Sequence, residues 1–207
     1  AGSSISISSG AVVQTGTGSI TLTADTSATP LGKIFLAGSP VVTNGGSMNF
    51  NSGVVLSDNT TLNTGAASTG NITFQSTVDG NGLPPAENLT LQTAGVITFT
   101  GNIGTSSALG DLIINSQNPT SLKLTGNISA NSFQTSSAVN GTIEIDGNQN
   151  YLTTTGLQLK TSGATGDVTF GGNITFANTG TNINVAHSGT LLIAGNVGTI
   201  NDATKVF

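Results

Sequence analysis

Gly166-Asp167-Val168-Thr169-Phe170-Gly171-Gly172-Asn173-Ile174-Thr175-Phe176 contains two apolar-Thr-Phe triplets joined by a short Gly-rich link. Within each triplet the apolar residues are two apart, which places them on one face of an extended strand with Thr on the other. The link is too short for a helix and carries the residues of a tight bend.

Working outward, triplets of this kind begin at Ile20, Met48, Ile72, Ile97, Leu122, Ile143, Val168 and Leu191, at intervals of 28, 24, 25, 25, 21, 25 and 23 residues. A period of about 24 residues with variable loops is the signature of stacked rungs. Two residues after each start stand Leu22, Phe50, Phe74, Phe99, Leu124, Ile145, Phe170 and Ile193. Phe50, Phe74 and Phe99 are therefore expected to stack in the core at the strand spacing of about 4.8 Å.

The fourth residue after each start is small: Ala24, Ser52, Ser76, Gly101, Gly126, Gly147, Gly172 and Gly195. It is followed by Asp25, Gly53, Thr77, Asn102, Asn127, Asn148, Asn173 and Asn196. Five consecutive rungs thus carry Gly-Asn at one corner, where stacked Asn side chains can hydrogen-bond along the stack as a structural ladder. Apolar residues then resume at Val54, Val78, Ile103, Ile128, Ile174 and Val197, with Gln149 breaking the pattern once. A third set, Ile34-Phe35-Leu36, Leu89-Thr90-Leu91, Leu112-Ile113-Ile114, Leu157-Gln158-Leu159 and Ile183-Asn184-Val185, begins 14 to 17 residues after each start and reads as a third wall. Loop insertions fall at Gly80-Asn81-Gly82-Leu83-Pro84-Pro85 and Ser116-Gln117-Asn118-Pro119-Thr120.

The expectation is an all-β, right-handed parallel β-helix (β-solenoid), three-walled, with about eight rungs of ~24 residues. Residues 1–207 are expected to form a single β-solenoid domain, with incomplete rungs at both ends. Ile5-Ser6-Ile7 and Lys205-Val206-Phe207 both read as third-wall strands, so Ile5, Ile7, Val206 and Phe207 are candidate end-contact residues. A solenoid with uncapped ends either continues into further repeats or stacks head to tail on other copies.

Composition narrows function. Charged residues are 6% of the chain, against about 25% in ordinary domains. Arg, Cys and Trp are absent, and the net charge is −5 with four Lys, so no basic surface exists for nucleic acid. No apolar run approaches the ~18 residues of a membrane span. Thiol chemistry and thiolate metal sites are excluded, and the sole histidine, His187, has no second histidine to share a metal. Nonapeptide calcium repeats are missing, and Asp58-Asn59 and Asp79-Gly80 read as loop turns. The outward first-wall residues Thr21, Asn49, Thr73, Thr98, Lys123, Glu144, Thr169 and Leu192 do not form the unbroken Thr array of an ice-binding surface.

Enzymes that cleave polysaccharides also use parallel β-helices, which directs attention to Glu144 and Asp146. Lys123 stands one rung from Glu144, so a cross-rung ion pair explains them without catalysis. Tyr151 is the only Tyr, leaving little aromatic surface for sugar stacking. Asn59, Asn71, Asn88, Asn127, Asn140 and Asn173 match the N-x-[ST] pattern, mostly because an Asn bend precedes an apolar-Thr strand.

Gly70-Asn71-Ile72-Thr73-Phe74, Gly166-Asp167-Val168-Thr169-Phe170 and Gly172-Asn173-Ile174-Thr175-Phe176 resemble repeats of large bacterial surface proteins of the filamentous-haemagglutinin and autotransporter-passenger type. The resemblance extends from about Ser19 to Val197, without the N-P-N-G type signature of the family's secretion domains. It implies secretion to an extracellular or cell-surface location and a role in a stalk, adhesin or matrix fibre. The expected function is thus a structural, non-enzymatic solenoid without cofactor, catalytic residue or metal, with self-association and surface glycan contact as expected partnerships. The alternative is a carbohydrate-binding or carbohydrate-cleaving parallel β-helix.

Overall fold

The computed structural model describes residues 3–8, 13–24, 32–38, 40–65, 70–115 and 119–199. Its strands are short and its pairings parallel, and the chain winds as an all-β solenoid of about seven turns. Eight strands form the first wall: Ile20–Leu22, Met48–Phe50, Ile72–Phe74, Val96–Phe99, Ser121–Leu124, Ile143–Ile145, Val168–Phe170 and Leu191–Ile193. The eight start residues pair in one unbroken register, from Ile20 opposite Met48 to Val168 opposite Leu191.

The register follows from side-chain alternation. From Met48–Phe50 to Val168–Phe170 each first-wall strand buries its first and third positions of the triplet, and slipping one rung by a residue would turn both outward. Met48, Phe50, Ile72, Phe74, Ile97 and Phe99 are all sealed from solvent, while Asn49, Thr73 and Thr98 between them are half-buried.

The second wall pairs Ile5, Ile34, Val54, Val78, Ile103, Ile128, Gln149, Ile174 and Val197 in succession. Two expectations are corrected here. Ile34-Phe35-Leu36 lies beside Val54-Val55-Leu56, and Ile5-Ser6-Ile7 lies beside Ile34-Phe35-Leu36, so both belong to the second wall and not the third. In that turn Val41–Thr43 supplies the third wall instead. Asp25, expected in the corner column, lies outside the described residues. Lys33, immediately before Ile34, takes the place that Asn102 has before Ile103.

The third wall runs through Val13–Thr15, Val41–Thr43, Thr60–Asn63, Leu89–Gln92 and Leu109–Ile114 to Ile183–Ala186. Between these last two the corner separating it from the second wall is smoothed. Ile128–Thr135 and Gln149–Lys160 each pass through both walls as one strand, with the register shifting between Ala130 and Ser132. Tyr151 pairs with Ala130 and Gly156 with Ser132, so Leu152–Thr155 opposes the single residue Asn131 and is accommodated as a bulge.

The Gly corner has a steric cause. A Cβ at Gly126, Gly147, Gly172 or Gly195 would overlap the carbonyl oxygen of the Gly one rung before it, and one at Gly101 would meet the Ser76 carbonyl. None of the five has a positive φ; close approach of successive backbones, not left-handed geometry, selects Gly here. Asp79-Gly80, expected as a loop turn, instead belongs to the strand Val78–Gly80, with Asp79 buried and accepting a hydrogen bond from Ser106 N–H at 3.0 Å.

Candidate assembly surface

The Asn column follows directly from this corner. Asn102 Oδ1 accepts from Asn127 N–H, Asn127 Oδ1 from Asn148 N–H, Asn148 Oδ1 from Asn173 N–H and Asn173 Oδ1 from Asn196 N–H, each at 2.9 Å. The ladder therefore joins each side chain to the main chain of the next rung, where the sequence suggested contacts between side chains. Each link satisfies a backbone donor that the bend removes from the sheet, so the column fastens successive turns.

The same device recurs at places the sequence reading did not single out. Ser4 Oγ accepts from Lys33 N–H, Ser19 Oγ from Ser47 N–H, Ser47 Oγ from Asn71 N–H, and Asp167 Oδ1 from Thr190 N–H. Five of the N-x-[ST] asparagines, Asn59, Asn71, Asn88, Asn127 and Asn173, use Oδ1 in this way. The readable signal was a short oxygen-bearing side chain at the corner before a strand.

Phe50 and Phe74 stack with ring centroids 4.8 Å apart and planes inclined by 12°, and Phe74 and Phe99 at 4.5 Å and 9°. The rungs themselves set that distance. Farther along, Tyr151 and Phe176 are tilted by 31° at 5.9 Å. The Tyr151 hydroxyl is buried and donates to Gln149 Oε1 at 2.8 Å, and burial holds its pKa well above the ordinary 10.0.

The two ends differ in cover. Val168 and Phe170 are fully buried, yet Leu191 and Ile193, which repeat them one rung later, are 37% and 42% exposed. Ile183 is likewise 37% exposed, where Leu157 one rung earlier is sealed. With Phe170, Ile174, Val185 and Val197 these residues line an apolar cavity of about 270 Å³ that opens on the core. Among the described residues no strand pairs with the outer edges of Leu191–Ile193 or Val197–Thr199. At the opposite end Ile7 and Ile20 are buried and Ile5 and Leu22 half-buried. Val206 and Phe207, the other expected end-contact residues, lie outside the described residues.

Glu144 and Lys123 form an ion pair at 3.1 Å on the partly exposed first wall. The carboxylate's hydrogen bond and charge raise the Lys123 pKa above its usual value. Asp146 is exposed beyond them. His187 is exposed, with Nδ1 2.8 Å from the Gly189 carbonyl oxygen. The described residues contain no cluster of three metal-ligating side chains.

No protein family matches this chain, and neither the curated proteins nor the solved structures compared with it contain a match.

Proposed function

We propose that this protein is a structural β-solenoid unit of an extracellular or cell-surface filament, adhesin stalk or matrix fibre, extended end to end by further rungs. The observation that carries the reading is the exposed apolar end at Ile183, Leu191 and Ile193, whose counterparts one rung earlier are fully buried. A further rung there would bury these side chains and pair the strand edges, two gains that any solenoid turn makes on its neighbour. A surface rich in Thr, Ser and Asn with few charges, and corners fastened by side-chain caps, suit a rigid column outside the cell.

Sedimentation at increasing concentration, with electron microscopy of the same samples, tests self-stacking. Eight first-wall levels at about 4.8 Å predict rods lengthening in steps of about 38 Å. Ile193→Asp should abolish them by placing a charge at the junction. A wild-type chain that stays monomeric throughout would remove head-to-tail stacking and leave continuation into further repeats of one polypeptide.

A further inference from the structure

The insertion between the second and third walls folds 81–88 back over the column. Leu83 at its tip is 68% exposed. Beneath the tip is a cavity of about 300 Å³, with Leu83, Pro84, Ala86 and Ala108 supplying apolar surface and Glu87 and Ser107 polar groups.

Glu87 is the unusual member, being only 5% exposed. Its Oε2 accepts one hydrogen bond, from Asn81 N–H at 3.2 Å, and Oε1 has no partner among the described residues. Among those residues the one enclosed side-chain polar atom without a partner is Gln149 Nε2, so Oε1 opens on the cavity. Ser107 lines the same cavity. A Cβ built on Gly80 would lie 2.7 Å from Glu87 Oε2 and 3.0 Å from the Ala108 carbonyl oxygen, so a side chain at Gly80 would crowd this lining.

Among the described residues Glu87 has no counterion. The one ion pair among the described residues is Lys123–Glu144, and no Lys lines this cavity. The Glu87 carboxylate is largely buried yet keeps one oxygen open to the cavity, where a cation that donates hydrogen bonds can pair with it. Three-carboxylate metal sites are absent from the described residues, and the remaining lining favours an aliphatic stem over a hydrated ion.

We propose that this cavity binds a primary ammonium group on an aliphatic stem, the chemistry shared by alkylamines and lysine side chains. The ammonium donates to Glu87 Oε1 and Ser107 Oγ, while the stem packs against Leu83, Pro84 and Ala108. This reading is independent of the filament proposal, because the loop is on the side of the column and not at an end.

Titration of the isotopically labelled full chain with n-butylammonium chloride, followed by amide NMR, tests it. Millimolar affinity is the expected scale, with Kd about 1 mM corresponding to about −4 kcal/mol. Saturable shifts should be confined to Asn81, Gly82, Leu83, Ser107, Ala108 and their neighbours. On the same unmodified protein, 1-butanol and glucose should shift none of them. Glu87→Gln, which keeps an acceptor for Asn81 N–H, should weaken binding at least about tenfold, as expected for the loss of a charge-assisted pair. The peptide acetyl-Gly-Lys-Gly-amide distinguishes the sources: tighter binding than butylammonium identifies a lysine side chain of a protein, and equal binding a free amine. No saturation by about 50 mM butylammonium, far above the millimolar scale, overturns the proposal. So does equal binding of 1-butanol or glucose, or unchanged affinity in a folded Glu87→Gln.

Discussion

Replacing Gln149 by isoleucine and Tyr151 by phenylalanine together should make this protein more stable, although it removes a buried hydrogen bond. Gln149 occupies an inward column otherwise filled by Val54, Val78, Ile103, Ile128 and Ile174, and it is just as buried at 1% exposure. Its Oε1 accepts from the Tyr151 hydroxyl at 2.8 Å, but its Nε2 has no partner among the described residues. An enclosed donor without an acceptor costs about 1–3 kcal/mol, whereas a satisfied hydrogen bond contributes only about 1 kcal/mol net. The pair as built therefore costs more than it contributes. Gln149→Ile alone removes the orphaned amide but strands the Tyr151 hydroxyl, so the two effects nearly cancel. Tyr151→Phe alone leaves both ends of the Gln149 amide unpaired and should cost about 1–3 kcal/mol. The double variant removes every unpaired group and should gain about 1–3 kcal/mol, with strong coupling between the sites. Guanidinium unfolding of all four proteins, read as a double-mutant cycle, measures this. A double variant less stable than wild type, or single effects that simply add, would refute the reasoning.

Tyr151 also predicts an alkaline limit. Because burial raises its folded-state pKa, its contribution to stability is complete below pH 10.0 and declines above it, where the unfolded chain ionises first. The stability of wild type should fall relative to Tyr151→Phe by up to about 1.4 kcal/mol per pH unit, checked by denaturant melts of both proteins at pH 8 and pH 11. Gly147→Ala should destabilise by about 1–3 kcal/mol or more, since its Cβ meets the Gly126 carbonyl, whereas Gly198→Ala, with nothing within 4 Å, should be tolerated; paired thermal melts would show the contrast. Asn148→Ala should cost about 0.5–1.5 kcal/mol and speed amide exchange at Asn173, whose N–H loses its acceptor, while Asn148→Asp retains most of the protection.

The first wall was legible because its two inward columns repeat with similar residues, and any slip would expose every one of them. Phe50, Phe74 and Phe99 carry the same information three times, and their stack is as regular as the rung spacing requires. Gly-Asn was legible as a corner for a different reason. Five repeats of one dipeptide mark a position where backbones approach too closely for a Cβ and a short amide must satisfy a stranded N–H.

Wall identity was not legible for Ile34-Phe35-Leu36. Its spacing from Ile20 fits a third wall or a second wall reached after a longer corner, and both demand the same apolar alternation. Only pairing with Val54-Val55-Leu56 separates them, and pairing is a relation between residues in different rungs. Glu87 was invisible as a site for the same reason. Its burial depends on a loop closing over 107 and 108, which belong to the following turn. Residue alternation thus determined the period and the inward faces, because it acts within one strand. The tertiary structure decided wall membership, the orphaned amide of Gln149 and the cavity of Glu87, because each depends on which rung lies alongside.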